Sequence, residues 1–257
     1  MKKSYLKYAF YVWFTIVPLL CVFLDLIFST IQPDPQYGDY TTNFDFSIIN
    51  QSIYLSVWIS LATFTYGLLN WINIHTKNMP SWITGKNNLT RVTALNVLAF
   101  ILYNVTLLVS SNVVGFNTWY KIIKSVIEHM VTPLLIIGFY FIFATPIINS
   151  KDYFKKYSWY NMIHLAIYLF YVLLRAVMLI SFPPQNQEVF TPFPYEQLDP
   201  RVVGYPLVIL GVGALFVGII ALATGLNYLS NLRNSRTRQP AVPRKPKKLL
   251  NNYEEED

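Results

Sequence analysis

The stretch VIEHMVTPLLIIGFYFIFA, from Val126 to Ala144, is an apolar run with a glutamate and a histidine near its start. Its length is close to the roughly 20 residues that an α-helix needs to cross the hydrocarbon core of a bilayer. Glu128 and His129 are unusual in such a run, because ionisable side chains are costly in hydrocarbon and mark candidate functional sites. The stretch therefore predicts a membrane-spanning helix with a polar group at one end.

The rest of the chain has the same character, since its 257 residues are 54% hydrophobic, 17% aromatic and only 13% charged. Six apolar runs have spanning length, at about 8–30, 52–72, 92–113, 126–148, 159–182 and 203–229. We predict an all-α integral membrane protein whose transmembrane domain, 1–230, is a bundle of six helices. The remaining residues, 231–257, are predicted to form a disordered tail that is first basic and then acidic.

The lysine and arginine residues are distributed unevenly among the connecting segments. Most lie before the first span, between the second and third, between the fourth and fifth, or after the sixth, whereas Lys121, Lys124 and Arg201 fall on the other face. Cytoplasmic segments of membrane proteins carry the excess of positive charge. We therefore expect a multi-pass protein of the plasma membrane with both termini in the cytoplasm.

Polar residues of five of the six helices fall in the outer third of this predicted bundle. The candidates for a cavity or ligand site are Asp25, Asn50, Ser52, Asn104, Glu128, His129 and Arg175. A polar cavity that opens outward explains their common depth most simply. Glu128 and His129 are alternatively interfacial residues that only contact water and head groups.

Arg175 is the most informative of these residues, because a guanidinium stays charged and requires a partner inside a membrane. Asp25 and Glu128 are the carboxylates at matching depth, so we expect Arg175 to pair with one of them. The alternative is that the long side chain reaches the outer head groups.

Several kinds of site are absent from the sequence. Cys21 is the only cysteine, and neither a metal-binding HExxH motif nor a phosphate-binding loop, a GxSxG elbow or a dinucleotide fingerprint is present. We expect no metal and no cofactor. Three glycines of the sixth span, Gly211, Gly213 and Gly218, predict close approach of another helix.

The basic part of the tail follows directly after the last span. This position is typical of a topology anchor that also attracts anionic lipid head groups. Membrane lipids are therefore the expected partners. The tail is also a candidate binding segment for a protein partner, and no nucleic acid is expected.

Several short motifs together resemble a known family. They are DFSIINQSIYL at Asp45–Leu55, LYNVTLL at Leu102–Leu108, EHMVTPLL at Glu128–Leu135, LLRAVML at Leu173–Leu179 and FPYEQLDPRVVGYP at Phe193–Pro206. In this order they resemble bacterial six-span proteins of the androgen-induced, androgen-dependent intramembrane hydrolase superfamily. The resemblance extends over nearly the whole chain at superfamily level and implies the six-span architecture.

The resemblance also implies a candidate catalytic residue. Animal members hydrolyse fatty-acid esters of hydroxy fatty acids with an intramembrane threonine in span two and a histidine in span four, and His129 matches that histidine. Ile49 or Asn50, depending on the register, takes the place of the threonine, and neither can accept an acyl group. Ser52 is close in sequence but would point to a different face of a helix.

These observations leave two functional hypotheses. In the first, the cavity binds or modifies a lipid or an acyl ester, with its polar group at Arg175 and His129. In the second, the chain is a non-enzymatic membrane component, either an assembly partner or a small-solute carrier. The missing threonine leaves open whether the chain is an enzyme.

Overall fold

The structure is a computed structural model that describes residues 2–32, 42–109, 116–183 and 191–237. This part of the chain is helical and contains no strand. Its α-helices are α1 (Lys2–Ile31), α2 (Phe44–Ser52), α3 (Leu55–Thr76), α4 (Ser81–Thr84), α5 (Lys86–Val109), α6 (Trp119–Val126), α7 (Thr132–Phe143), α8 (Ser150–Lys156), α9 (Met162–Ser181), α10 (Pro200–Val203) and α11 (Tyr205–Thr237).

Six helical segments are long and apolar enough to cross a membrane, which confirms the predicted number of spans. They are Lys3–Ile31, Leu55–Thr76, Ser81–Leu108, Trp119–Phe143, Ser158–Ser181 and Tyr205–Ser235. The chain is therefore an all-helical protein with the composition of a multi-pass membrane protein.

The helices of the third and fourth spans begin earlier than the predicted apolar runs. The third begins at Ser81 instead of 92 and the fourth at Trp119 instead of 126. The sequence interpretation placed these stretches in loops because they carry lysine and arginine. In the structure the helices continue through them, because buried charges have partners: the Lys86 ammonium donates a hydrogen bond to Asn231 Oδ1 at 3.0 Å.

The fourth span also ends earlier than predicted. Helix α7 stops at Phe143, and Ala144 already has an extended backbone. Pro146 follows two residues later and has no N–H with which to continue a helix. The predicted end at 148 was wrong because the residues after Phe143 are apolar but not helical.

Helices α1 and α3 pack against each other in antiparallel orientation at a glycine. A Cβ atom on Gly67 would lie 2.7 Å from both the carbonyl carbon of Phe14 and the nitrogen of Thr15. The backbones of α1 and α3 therefore approach each other at a distance that only glycine permits at position 67. Around this contact the rings of Phe14 and Phe139 meet edge to face, with centroids 5.5 Å apart.

Hydrogen bonds between buried polar side chains connect the other spans. Asn96 on α5 donates to the hydroxyl of Thr63 on α3 at 2.9 Å. Thr90 on α5 donates to the hydroxyl of Tyr140 on α7 at 3.1 Å. Such bonds orient helices within a membrane, where an apolar face alone gives little preference for one neighbour over another.

Helix α11 contains fully buried residues only along its second half. Its buried residues begin at Ile219, whereas no residue from Tyr205 to Gly218 is buried. The predicted close approach at Gly211, Gly213 and Gly218 was wrong within this chain, since a Cβ on any of them would have nothing within 4 Å. The first half of α11 is thus more exposed than the second and contacts the core through the half-buried Val212, Leu215 and Phe216.

The last helix extends into the segment that was predicted to be the tail. Helix α11 continues to Thr237, beyond the predicted boundary at 231. The rest of the tail, 238–257, lies outside the described residues. The side chain of Asn231 explains part of the extension, because it donates a hydrogen bond to the carbonyl of Ile148 at 2.5 Å.

Candidate functional site

A cavity of about 610 Å³ lies between parts of all six apolar spans, where α1 ends and α6 begins. Helices α1, α3, α5, α6, α9 and α11 contribute to its wall, together with α2 and the segment before α10. Its polar lining residues include Asp25, Ser29, Ser47, Asn50, Gln51, Tyr54, Ser56, Tyr103, Thr106, Lys121, Lys124, Ser125, Glu128, His129, Tyr168, Tyr195 and Gln197.

The cavity also has a large apolar lining. Its residues come from α3, α5, α9, α11 and the segment before α10, and they are Leu55, Leu98, Ala99, Leu102, Leu169, Leu198, Ala214 and Leu215. A cavity of this size falls within the roughly 300–1,000 Å³ of small-molecule sites. The apolar lining is suited to a hydrocarbon group.

The cavity reaches the surface of the described bundle at exposed lining residues on α5 and α11 and at Tyr195 and Gln197 before α10. Leu102 and Thr106 on α5 line it, as do Gly211 and Ala214 on α11, and all four residues are also exposed on the surface of the bundle. Gly211 and Ala214 belong to the first half of α11, which contains no buried residue. A molecule could pass between these helices from the apolar surroundings of the bundle.

The cavity lining also contains a buried ion pair. The Lys124 ammonium lies 2.5 Å from Asp25 Oδ2, and the two side chains are only 9% and 10% exposed. Since removing a charge from water is costly, each ion depends on the other for compensation. The pair joins α1 to α6 and forms the charged wall of the cavity.

Glu128 follows Lys124 by one helical turn and is also buried. Its Oε1 accepts a hydrogen bond from the Ser60 hydroxyl at 3.0 Å. Its Oε2 is buried and has no hydrogen-bond partner among the described residues. A buried carboxyl oxygen without a partner is energetically unfavourable, so it is a position at which a bound molecule could contribute a hydrogen bond.

A π-helical segment, Ile127–Val131, holds Glu128 and His129. Pro133 accounts for it, because proline has no N–H to donate to the His129 carbonyl four residues earlier. The N–H of Thr132 instead donates to the carbonyl of Ile127, five residues back. The wider turn brings two consecutive side chains to the cavity, and such segments are frequent at functional sites.

The ring of His129 is stacked on that of Tyr103, with centroids 3.9 Å apart and planes 5° from parallel. The His129 Nδ1 is buried and has no hydrogen-bond partner in the part of the chain described. The described contacts include no serine or threonine hydroxyl bonded to this ring, which a serine–histidine nucleophile would need. His129 is thus positioned by an aromatic ring.

The structure divides the predicted site residues into two groups. Asp25, Asn50, Glu128 and His129 line the cavity, whereas Ser52, Asn104 and Arg175 do not. The hydroxyl of Ser52 is 2.5 Å from that of Tyr171 and donates to the carbonyl of Ile49. The amide of Asn104 donates to the Phe100 carbonyl of its own helix at 2.8 Å.

The predicted pairing of Arg175 with Asp25 or Glu128 was wrong. The guanidinium donates hydrogen bonds to the backbone carbonyls of Thr191 at 2.8 Å and Pro192 at 3.1 Å. Its length allows it to reach the segment before α10, where carbonyl groups that belong to no helix are available. Lys124 takes the place beside Asp25 that the sequence interpretation had given to Arg175.

Lys124 is the main site residue that the sequence interpretation missed. It was assigned to a loop because lysine usually marks the end of a span. The signal that could have identified it is its spacing of four residues from Glu128, which places the two side chains on one face of a helix.

The segment before α10 closes one side of the cavity with Tyr195, Gln197 and Leu198. Asp199 ends this segment and caps α10, because its side chain accepts a hydrogen bond from the N–H of Arg201 at 2.9 Å. Hydrogen bonds from the Arg201 guanidinium hold the pKa of the Asp199 carboxyl below its ordinary value. Near neutral pH the cap is therefore ionised.

Comparisons with family models, with curated proteins and with solved structures gave no match. The site is therefore interpreted from its own geometry.

Proposed function

We propose that the chain is a lipid-binding protein of the bacterial plasma membrane, with the acyl chain or acyl ester of a membrane lipid in the cavity. The exposure of cavity-lining residues on α5 and α11 is the observation that supports this most directly. Leu102 and Ala214 are exposed on two apolar helices and also line the cavity, which favours a molecule that already lies in the bilayer.

The apolar and charged parts of the cavity lining suggest how such a lipid would be oriented. Its hydrocarbon part would contact Leu98, Leu102 and Leu215, since burial of apolar surface favours binding by roughly 25 cal/mol per Å². Its polar part would then lie at Lys124 and Glu128. A hydroxyl or amine of the ligand could donate the hydrogen bond that Glu128 Oε2 lacks.

We also propose that both termini are cytoplasmic and that the cavity lies in the outer half of the bilayer. The distribution of lysine and arginine supports this orientation. In this orientation the lipid would enter from the outer leaflet.

The resemblance to the intramembrane hydrolase superfamily is compatible with this function, because His129 lines the cavity. We propose binding and not hydrolysis, since the described residues include no hydroxyl hydrogen-bonded to His129. Turnover of an acyl ester by the purified protein that is lost in His129→Ala would instead favour hydrolysis.

The experiment is lipid quantification on the full chain purified in mild detergent, with one variant that blocks the opening and one matched control. Ala214→Phe places a ring at the opening, whereas Val217→Phe places the same ring on an exposed part of α11 that does not line the cavity. We expect wild type and Val217→Phe to retain a similar amount of lipid and Ala214→Phe to retain much less. Equal amounts of lipid in all three purified proteins would contradict the proposed lipid-binding function.

A further inference from the structure

A second, smaller cavity forms a groove of about 420 Å³ between α3, α4, α5 and α9. Its wall includes Trp58, Leu61, Ala62, Thr65, Tyr66, Leu69, Trp82, Ile83, Asn88, Arg91, Val92 and His164, none of which lines the first cavity. Exposed residues such as Leu61 and Trp82 lie along it, so it opens to the apolar surface of the bundle. A ligand here would be independent of the function proposed above.

Among the described residues that line this groove, Arg91 is the only one with a charged side chain. Helices α3, α4, α5 and α9 contain no aspartate or glutamate at all. The guanidinium has no ion-pair partner among the described residues. Since arginine remains charged in proteins, an anion bound in the groove would compensate a guanidinium that no carboxylate of these four helices neutralises.

The arginine is held in a defined place. Its Nη2 donates a hydrogen bond to Asn88 Oδ1 at 2.8 Å, and the amide of Asn88 donates to the carbonyl of Ile83 at 2.7 Å. A neutral amide accepts one of the five guanidinium N–H groups and supplies no negative charge. The other N–H groups have no acceptor among the described residues and are left for a ligand.

A second polar group in the groove also lacks a partner. The Nε2 of His164 is buried and has no hydrogen bond in the part of the chain described. The ring lies beside Trp58, with centroids 6.2 Å apart. Arg91 and His164 are on different helices, α5 and α9, and both line the same groove. A phosphate between them could accept hydrogen bonds from each.

The other residues of the groove are suited to the acyl chain of a phospholipid. Leu61, Thr65 and Leu69 follow one another along one face of α3, at spacings of four residues. An acyl chain could lie along this face. Trp82, which is 74% exposed, is at the end of the groove formed by α4, and tryptophan is enriched where a membrane meets water.

We propose that this groove is a binding site for an anionic phospholipid, with the phosphate at Arg91 and His164 and one acyl chain along α3. An anionic lipid supplies the negative charge that these four helices lack. A zwitterionic lipid carries its own cation and would compensate the arginine less well. Basic pockets between membrane helices bind anionic head groups in the same way.

The test compares binding of phosphatidylglycerol and phosphatidylcholine to the delipidated full chain by native mass spectrometry. Arg91→Gln removes the charge and keeps a hydrogen-bonding side chain for Asn88. Lys77→Asn removes one positive charge at the end of α3, outside the groove, and asparagine tolerates the positive φ of 55° found there. We expect Arg91→Gln to bind phosphatidylglycerol about tenfold more weakly, as for the loss of a charge-assisted hydrogen bond. Lys77→Asn should bind it as wild type does.

A second pair of variants tests the groove without changing its charge. Ala62→Phe fills the groove, whereas Ile72→Phe places the same ring on an exposed part of α3 outside it. Only Ala62→Phe should lose phosphatidylglycerol, and Ala214→Phe at the first cavity should keep it. The proposal would be overturned if Arg91→Gln and Lys77→Asn lost the same amount of phosphatidylglycerol, or if the wild type bound phosphatidylglycerol and phosphatidylcholine equally. It would also be overturned if a stoichiometric protein partner co-purified with the wild type and was displaced by Ala62→Phe.

Discussion

Lys124 and Asp25 neutralise each other's buried charge inside the bundle. Substitutions at these two residues can measure how much the stability depends on this pairing. Lys124→Met should leave the Asp25 carboxylate buried without a cation and lower the free energy of unfolding by about 3–5 kcal/mol. The double variant Asp25→Leu with Lys124→Met removes both charges and should recover most of that loss. Denaturant unfolding in detergent micelles, followed by circular dichroism, measures both values.

Lys121→Met is the matched control, because Lys121 also lines the cavity but is less buried than Lys124. We expect it to change the stability little. A double variant that is as unstable as Lys124→Met alone would show that the ion pair does not compensate the buried charges in the way described.

The cavity residues that could be predicted from the sequence were ionisable residues within an apolar run. Asp25 and Glu128 stand out in sequence for this reason, and both line the cavity. The partner of Arg175 could not be predicted, because a long side chain reaches backbone carbonyls whose position depends on the fold of a connecting segment. Lys124 was missed because lysine is typical of both loops and buried ion pairs.

Two glycines in different helices test the packing of individual elements. Gly67→Ala should lower the free energy of unfolding by about 1–3 kcal/mol, since its Cβ would meet the α1 backbone and neither helix can move aside easily. Gly138→Ala is the control, because a Cβ there has nothing within 4 Å. It should be neutral or stabilising by up to about 1 kcal/mol, as alanine favours a helix over glycine.

The same unfolding assay measures both variants. Similar effects at the two positions would contradict the close contact between α1 and α3. The contrast is informative because both substitutions add the same methyl group within a span.

The helices were predictable from hydropathy, whereas their ends and contacts were not. Six runs of sufficient length identify six spans. The start of the fourth span depends on the burial of Lys124, which only tertiary contacts decide. The glycines of α11 and Gly67 cannot be distinguished by composition, since close approach depends on which helix lies beside each.

The orientation of the whole molecule is a prediction from charge, and two single-cysteine variants can test it. In a Cys21→Ala background, Phe116→Cys should react with a membrane-impermeant maleimide on intact cells. Lys155→Cys should react only after the cells are permeabilised. Both positions are exposed and lie on opposite sides of the fourth span. The reverse pattern would place the cavity in the inner half of the bilayer.

In the molecule as a whole, the first half of α11 contains no buried residue, and its exposure beside the cavity supports the proposed lipid site. Hydropathy alone could not indicate it, because an apolar run such as Tyr205–Ile220 does not show which of its residues face a neighbouring helix. The polar residues at similar predicted depth did indicate a cavity, although three of the seven candidates lie outside it.

Photo-crosslinking of a phospholipid with a diazirine in its acyl chain, mapped by peptide mass spectrometry, tests the central claim most directly. We expect adducts on the cavity-facing segments of α5 and α11, including Leu102 and Ala214, and their loss in Ala214→Phe but not in Val217→Phe. Adducts confined to the outward faces of the bundle, such as Phe170 and Val177, would contradict a lipid in the cavity.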